Sequence, residues 1–256
     1  LDHWFRARPA EAVDSRIVIV TIDESDFNAI GRYPIPDATF AEVLSKIRQQ
    51  KPRVIGMDVY RNLPIEPGHE ALQQVFQNTP NLIGVEKTLS GANMPSVDPP
   101  PILRDRAQIA ASDLVLDPDG KVRRNLLSLR VSPIWGKEGR RIETLGTRLA
   151  LEYLKAEGIK PQSIGNSIIQ LGKARLEPLK PNAGGYVRAD VGGFQILANF
   201  RNLQQQFTSV SFSDVLQDRV TAQLMQDRIV LIGSVAESLN DRFFTPYSSA
   251  AKLASA

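Results

Sequence analysis

Five side chains able to bind or transfer charge stand at or just past the C-terminal ends of apolar runs, the place where open α/β sheets present ligands. Asp23 and Glu24 follow Ile17 to Ile22, Asp58 ends the run Arg53 to Tyr60, and Ser234 and Asp241 follow Arg228 to Ile232. If the three runs are neighbouring strands, Asp23, Asp58 and Asp241 converge over one rim. Carboxylates so placed suit a hard divalent cation, a cationic ligand or a hydrogen-bonded polar network, and the residue types leave a metal undecided. A plainer duty is open to each, because an Asp after a strand commonly caps a helix or braces a turn. Glu24 is equally open to being a solvated side chain.

Other chemistries find less support. Gly233-Ser234 after Leu231-Ile232 has the look of a phosphate-gripping turn, yet neither GxGxxG nor GxxxxGK[ST] is present. A serine triad lacks its GxSxG elbow, and the two histidines are His3, beside the terminus, and His69, expected on the surface ahead of a helix. An aspartyl-nucleophile phosphatase needs an acid two residues after the first Asp, whereas Asp23-Glu24-Ser25-Asp26 sets it one position late. No cofactor is implied.

Asp117 and Asp119 belong to Asp117-Pro118-Asp119-Gly120, where turn chemistry explains them. Arg123 and Arg124 follow that turn, so by strand alternation one should face inward and pair with an acid. Arg124 is the sixth candidate ligand contact. Trp4 and Phe5, beside Arg6 and Arg8, form either an amphipathic anchor or an aromatic end that docks on the domain.

The elements that must position these residues follow from periodicity. Ile17 to Ile22 is a β-branched run suited to a central strand, and Gly31, Pro34 and Pro36 make a rigid connection to a helix capped by Asp37. In that helix Phe40, Val43, Leu44 and Ile47 fall on one face. Strands at Arg53 to Tyr60 and Asn81 to Glu86 bracket a helix carrying Leu72, Val75 and Phe76, a βαβαβ order that argues for a parallel sheet. Four prolines between Thr88 and Gln108 predict a long loop, which around Pro99 could cover a site. Ala110 to Leu116 and Val122 to Val131 flank the DPDG turn as a hairpin. A helix over Glu143 to Glu157 turns Leu145, Leu149 and Leu154 inward and stops at Gly158. Short strands at Ser167 to Leu171, Ala174 to Glu177 and Gly193 to Phe200, a helix capped by Ser213 and a final strand complete the chain.

The predicted class is therefore α/β: a mixed, mainly parallel sheet flanked by helices as a three-layer sandwich, with an inserted antiparallel hairpin. With 256 residues, 42% of them hydrophobic, the chain can bury one large core. Its 31 basic and 28 acidic residues are mixed without long like-charge runs, so no nucleic-acid partner is expected. No cysteine is present, which excludes disulfides and thiolate chemistry. The apolar runs fall far short of the ~20 residues that cross a bilayer, and Leu1-Asp2-His3-Trp4 is no signal peptide, so the chain as given is expected to be soluble.

Several blocks resemble the second type of CHASE domain, the cyclase and histidine kinase associated sensory extracellular module of bacterial receptors. They are IDES at Ile22 to Ser25, Ile30-Gly31 with Pro34 and Pro36, Asp58, DPDGKVRR at Asp117 to Arg124, and VLIGSVAESLNDRFFTP at Val230 to Pro246. The resemblance spans nearly the whole chain. Where relatives carry tryptophan and a basic residue around the proline pair, this chain has Tyr33, Ile35 and Asp37, and RNLPIEPGHEAL after Asp58 is poorer in aspartates.

The resemblance implies a non-catalytic, extracytoplasmic (periplasmic) signal-input domain of a bacterial inner-membrane receptor, anchored by flanking helices and controlling a cyclase, histidine kinase or serine/threonine kinase. Residues 1–15 would be a juxtamembrane lead-in, 16–246 the sensory domain and 247–256 an exit towards the membrane or a frayed end, with both ends on one side. An unidentified small molecule or ion would bind at Asp23, Glu24, Asp58, Ser234, Asp241 and Arg124, and a homodimer would transmit the signal. Two alternatives stand beside this: a metal-dependent hydrolase using Asp23, Asp58 and Asp241, and a dimerisation module without ligand.

Overall fold

The computed structural model describes residues 1–9, 11–89, 95–131, 139–165, 167–200, 207–239, 241–248 and 254–255. In chain order its first half is α1 (Asp2–Arg6), β1 (Ile17–Ile22), α2 (Glu24–Ile30), α3 (Asp37–Gln49), β2 (Val54–Asp58), α4 (His69–Gln77), β3 (Leu82–Glu86), α5 (Pro101–Asp105) and β4 (Ile109–Ala111). There follow β5 (Val115–Leu116), β6 (Val122–Val131), β7 (Arg140–Glu143), α6 (Leu145–Lys155), β8 (Pro161–Ile164), β9 (Ile168–Leu171) and β10 (Ala174–Leu176). The chain closes with β11 (Phe194–Leu197), β12 (Thr208–Ser211), α7 (Phe212–Leu216), β13 (Ile229–Ser234), a 3-10 turn at Glu237–Leu239, β14 (Arg242–Phe243) and β15 (Ala254–Ser255).

Every residue of β1 is β-branched, the side-chain type that packs best on a pleated surface. It takes a central place in a six-stranded sheet of order β12-β1-β13-β2-β3-β4, in which every pairing is parallel. The α/β class with helices on both faces is therefore as the sequence indicates. The antiparallel strands stay out of this sheet and pair among themselves, β11-β6-β5 with β7 alongside and β10-β9-β8 as a separate three-stranded unit. The run Ala110 to Leu116 splits accordingly. Ile109–Ala111 closes the parallel edge, and Val115–Leu116 crosses to β6.

The two faces of the parallel sheet are covered unequally. On one, Val18, Val20, Ile22, Ile55, Met57, Val230 and Ile232 pack under Phe40, Leu44 and Ile47 of α3, Leu72 and Phe76 of α4, and Phe212 of α7. Each such fully buried side chain contributes roughly 1.5–3 kcal/mol. The other face meets α6 through Leu145, Leu149 and Tyr153, which touch Val54, Ile83, Val85 and Ala110. Gly56 permits this approach, since a Cβ there would lie 2.6 Å from Leu149. One helix covers only two or three strands at their ~4.8 Å spacing. The odd-numbered positions of β1 and β13 on this face, such as Ile19 and Leu231, accordingly remain half-buried, so β13 is not the fully buried strand its composition suggests.

Local signals were displaced in places. Asp37 is the first helical residue of α3 behind an N-cap at Pro36, and Ser211 caps α7 by accepting from the Asp214 amide, where Ser213 was expected. The proline-rich stretch holds a short helix, α5, with Leu103 fully buried, and Pro99 and Pro100 are buried too. In α6 the third inward residue is Tyr153, with Leu154 half-buried.

Candidate functional site

The registers that align β1, β13 and β2 place Ile22 opposite Ser234 and Gly233 opposite Asp58, so the three strand ends form one rim. Most of the expected residues there are engaged by hydrogen bonds within the protein. Asp23 is the N-cap of α2, and its carboxylate accepts from the Ser25 amide at 2.7 Å, the Ser25 hydroxyl at 2.6 Å and the Asp26 amide at 3.1 Å. The Ser25 hydroxyl bond holds the Asp23 pKa below the usual carboxylate value. Asp26, fully buried, returns a bond to the Asp23 amide and takes another from Ser213 at 2.8 Å, locking α2 to α7. Glu24 accepts from the Ser238 amide at 2.9 Å. The Ser234 hydroxyl donates to the Ile22 carbonyl and accepts from the Ala236 amide, which occupies both of its roles.

Asp58 differs from these. Beside it Gly233 carries no side chain; a Cβ there would sit 3.8 Å from that of Asp58. Asp58 opens into a cavity of about 770 Å³ bounded by α6, β6, the β8-β9-β10 unit and the loop after β4. That is within the range of small-molecule sites. Its wall is mostly aliphatic, with Leu127, Leu149, Leu151, Ile169 and Leu231 among the contributors. The space exists because α6 is narrow and the three-stranded unit roofs the remaining width of the sheet. No described residue between 95 and 105 lines it, so the Pro99 segment is not its cover.

Among the described residues Asp58 has no hydrogen-bond or ion-pair partner, and Asp241 is its charged neighbour. The carboxylate touches solvent within the cavity yet is crowded by protein on its other sides. That burial, reinforced by the negative charge of Asp241, pushes its pKa up to about 6 from 3.8. The folded state thus holds the proton more tightly than the unfolded chain, and the benefit of protonation is lost as pH rises from about 4 through about 6. Above that, ionised Asp58 costs about 1 kcal/mol once solvent access is discounted. Asp58→Asn should therefore raise the melting temperature at pH 7 and leave it unchanged at pH 4. A stability gain that ignored pH between 4 and 7 would contradict this account.

Arg124 lies elsewhere. It is buried, with Nε donating to Asp117 at 2.9 Å, Nη1 reaching the Asp190 carbonyl at 2.6 Å and Gln195 at 2.9 Å, and its guanidinium 5.2 Å from the Tyr186 ring centroid. Arg123, also buried, takes the other oxygen of Asp117 at 2.7 Å together with Asp119 and Asp2. Strand alternation had allowed for one inward arginine. Both are buried because Asp117 takes one arginine on each of its oxygens, with Asp2 and Asp119 completing the shell of Arg123 and the Asp190 carbonyl and Gln195 that of Arg124.

This cluster also gathers the two ends of the domain. Asp2 of α1 bonds Lys121 and, at 2.5 Å, Arg123; these bonds, the Arg123 one foremost, lower its pKa to about 2. Val122 donates to the Phe244 carbonyl, Arg6 to the Pro246 carbonyl at 2.7 Å, and Tyr247 to the Phe5 carbonyl at 2.6 Å. Phe5, Phe200 and Tyr247 stack edge to face alongside. Phe5 is buried and docks on the domain, whereas Trp4 is exposed. β14 pairs with β15, while residues 249–253 and 256 of the expected exit lie outside the described residues.

His69, expected on the surface, sets its Nδ1 2.8 Å from the buried Asp37 carboxylate. Among the described residues no group of three or more His, Cys, Asp or Glu side chains is positioned to hold a metal ion, and Asp23 does not join Asp58 and Asp241. A second cavity of about 440 Å³, lined by Lys46, Lys51 and Asp218, lies at the opposite rim of the sheet.

Sequence reasoning reached Asp58 from its strand end but missed the cavity wall on α6 and the β8-β10 unit. The only available signal was the surplus of aliphatic residues in Leu145 to Leu154, which exceed what one helix face needs. Among the described residues no helix is long and apolar enough to cross a membrane. A family model described as the CHASE2 domain matches residues 1–255, whereas no curated protein and no solved structure matches.

Proposed function

We propose a ligand-gated sensor from the premise that the chain belongs to the CHASE2 domain family, the extracellular sensory domains of signalling receptors. The cavity of about 770 Å³ is its input site, with Asp58 the polar contact at the strand ends. The observation that supports this best is the double role of β6. Asn125 to Ser128 line the cavity, while the adjoining Lys121 to Arg123 hold α1 and the segment before Pro246. A ligand that favours one arrangement of β6 therefore shifts both ends of the domain together, which is what differential affinity requires. On this reading the domain is periplasmic, its ends lead to membrane helices, and a homodimer carries the shift to a cyclase, histidine kinase or serine/threonine kinase.

The absence of native cysteine makes the test clean. Spin labels at Ala7→Cys and Phe244→Cys report the separation of the two ends, and a thermal-shift screen of small molecules supplies binders. A binder should raise the melting temperature, change the label distance, and lose both effects in Ile169→Trp, which fills the cavity. Binders that act equally on Ile169→Trp, or that leave the distance unchanged, would overturn the proposal.

A further inference from the structure

The inventory of charge around the cavity narrows what it can hold. Asp58, Asp113 and Glu143 are its acids and Arg141 its base. Asp113 is already met by the amides of Thr88 and Leu89 at 2.9 and 2.7 Å and by the Thr88 hydroxyl at 2.8 Å. Glu143 faces Arg148 at 3.9 Å. Arg141 is exposed to water and donates to Ser128 at 3.1 Å, so it needs no further ligand. Asp58 is left as a solvent-reached carboxylate at the cavity's edge, without a counter-charge among the described residues, next to another acid and against an aliphatic wall. A carboxylate beside a second acid gains from an opposite charge brought to it, and the wall gains from apolar area removed from water.

We propose that the cavity takes an amphipathic cation, an ammonium or guanidinium head set on Asp58 with its apolar body along Leu127, Leu149 and Ile169. This rests on the reading of the cavity as the input site and names the ligand class. The head supplies the counter-charge that the ionised Asp58 carboxylate lacks, and the body fills the width that α6 leaves uncovered. A carboxylate or phosphate head would add negative charge beside Asp58 and Asp241 and is disfavoured. A purely polar cation would leave the leucine wall wet.

Three probes of equal length separate the claims: octylammonium, octanoate and octan-1-ol, each below its aggregation limit, measured by calorimetry at pH 7.5 on the wild type. Octylammonium should bind at least tenfold more tightly than octanoate, and Asp58→Asn should weaken it at least tenfold while leaving octan-1-ol unchanged. Thermal unfolding of Asp58→Asn confirms that the variant is folded. Equal affinity for all heads, a preference for octanoate, or an unchanged octylammonium affinity in Asp58→Asn would overturn the cationic ligand class while leaving the cavity as a site. Failure of all three probes to bind, or binding that persists in both Ile169→Trp and Leu127→Trp, would overturn the cavity reading as well.

Discussion

Replacing Asp117 with alanine is expected to cost about 3–5 kcal/mol, the range for removing one partner of a buried ion pair. The Asp117 carboxylate receives Arg123 at 2.7 Å, Arg124 at 2.8 and 2.9 Å and the Tyr186 hydroxyl at 3.1 Å, with all three charged groups buried. Arg123 would keep Asp119 and Asp2. Among the described residues Arg124 would keep the Asp190 carbonyl and Gln195, which are neutral, so the stranded charge is chiefly that of Arg124. At about 2–4 °C per kcal/mol for a chain of this size, the melting temperature should fall by roughly 10 °C. Asp119→Ala removes an exposed partner of the same arginine and should cost below about 1 kcal/mol. Combining Asp117→Ala with Arg124→Met should recover part of the loss, since the uncompensated charge is gone. A second readout is Tyr186, whose pKa burial and the charge of Asp117 push up to about 12. Its ultraviolet titration should move to lower pH in Asp117→Ala. A loss equal to that of Asp119→Ala would show that the cluster is not a buried lock.

The behaviour of this cluster explains what could and could not be read in the residues alone. Strong local patterns survived folding. The β-branched run of β1, the amphipathic face of α3 and the DPDG turn appear where periodicity and turn chemistry place them, because each element decides its own conformation. The neighbouring positions of β1 and β13 were legible too, as two apolar runs each delivering acids to its end. What was lost is the use of each acid, which depends on partners far away in sequence. Asp23 and Asp37 both stand at a helix start, yet one caps it and the other, already inside the first turn, becomes a buried hub, a difference fixed by Arg61 and His69. The cavity was illegible for a related reason. It is a mismatch of widths between one helix and a six-stranded sheet, roofed by strands such as β8 whose residues are exposed and carry no apolar alternation.

Asp37 sets the second large effect. Its carboxylate is buried, accepting from Arg61 at 3.0 Å and from the Ile65 amide at 3.1 Å, with His69 at 2.8 Å. The Asp37 and Ala38 amides donate to the Ile65 and Pro67 carbonyls, so the whole connection from β2 to α4 is docked on the first turn of α3. Arg61 lies over the Phe40 ring at 3.9 Å, and its burial pulls its pKa down against the opposing pull of Asp37. Among the described residues Asp37→Ala would leave this guanidinium with the Ile35 carbonyl and the Phe40 ring, again an expected loss of about 3–5 kcal/mol in urea unfolding. Asp37→Asn keeps one acceptor and should cost less, and Arg61→Met in the Asp37→Ala background should restore part of the stability. The cluster packs on the α3 face of the sheet, while the cavity lies on the α6 face. At a temperature where Asp37→Ala is still folded, its affinity for octylammonium should therefore match the wild type, whereas Ile169→Trp should lose binding without comparable loss of stability. A tenfold loss of affinity in folded Asp37→Ala would mean that the two faces are coupled through the sheet, and that the input site extends beyond the walls described for it.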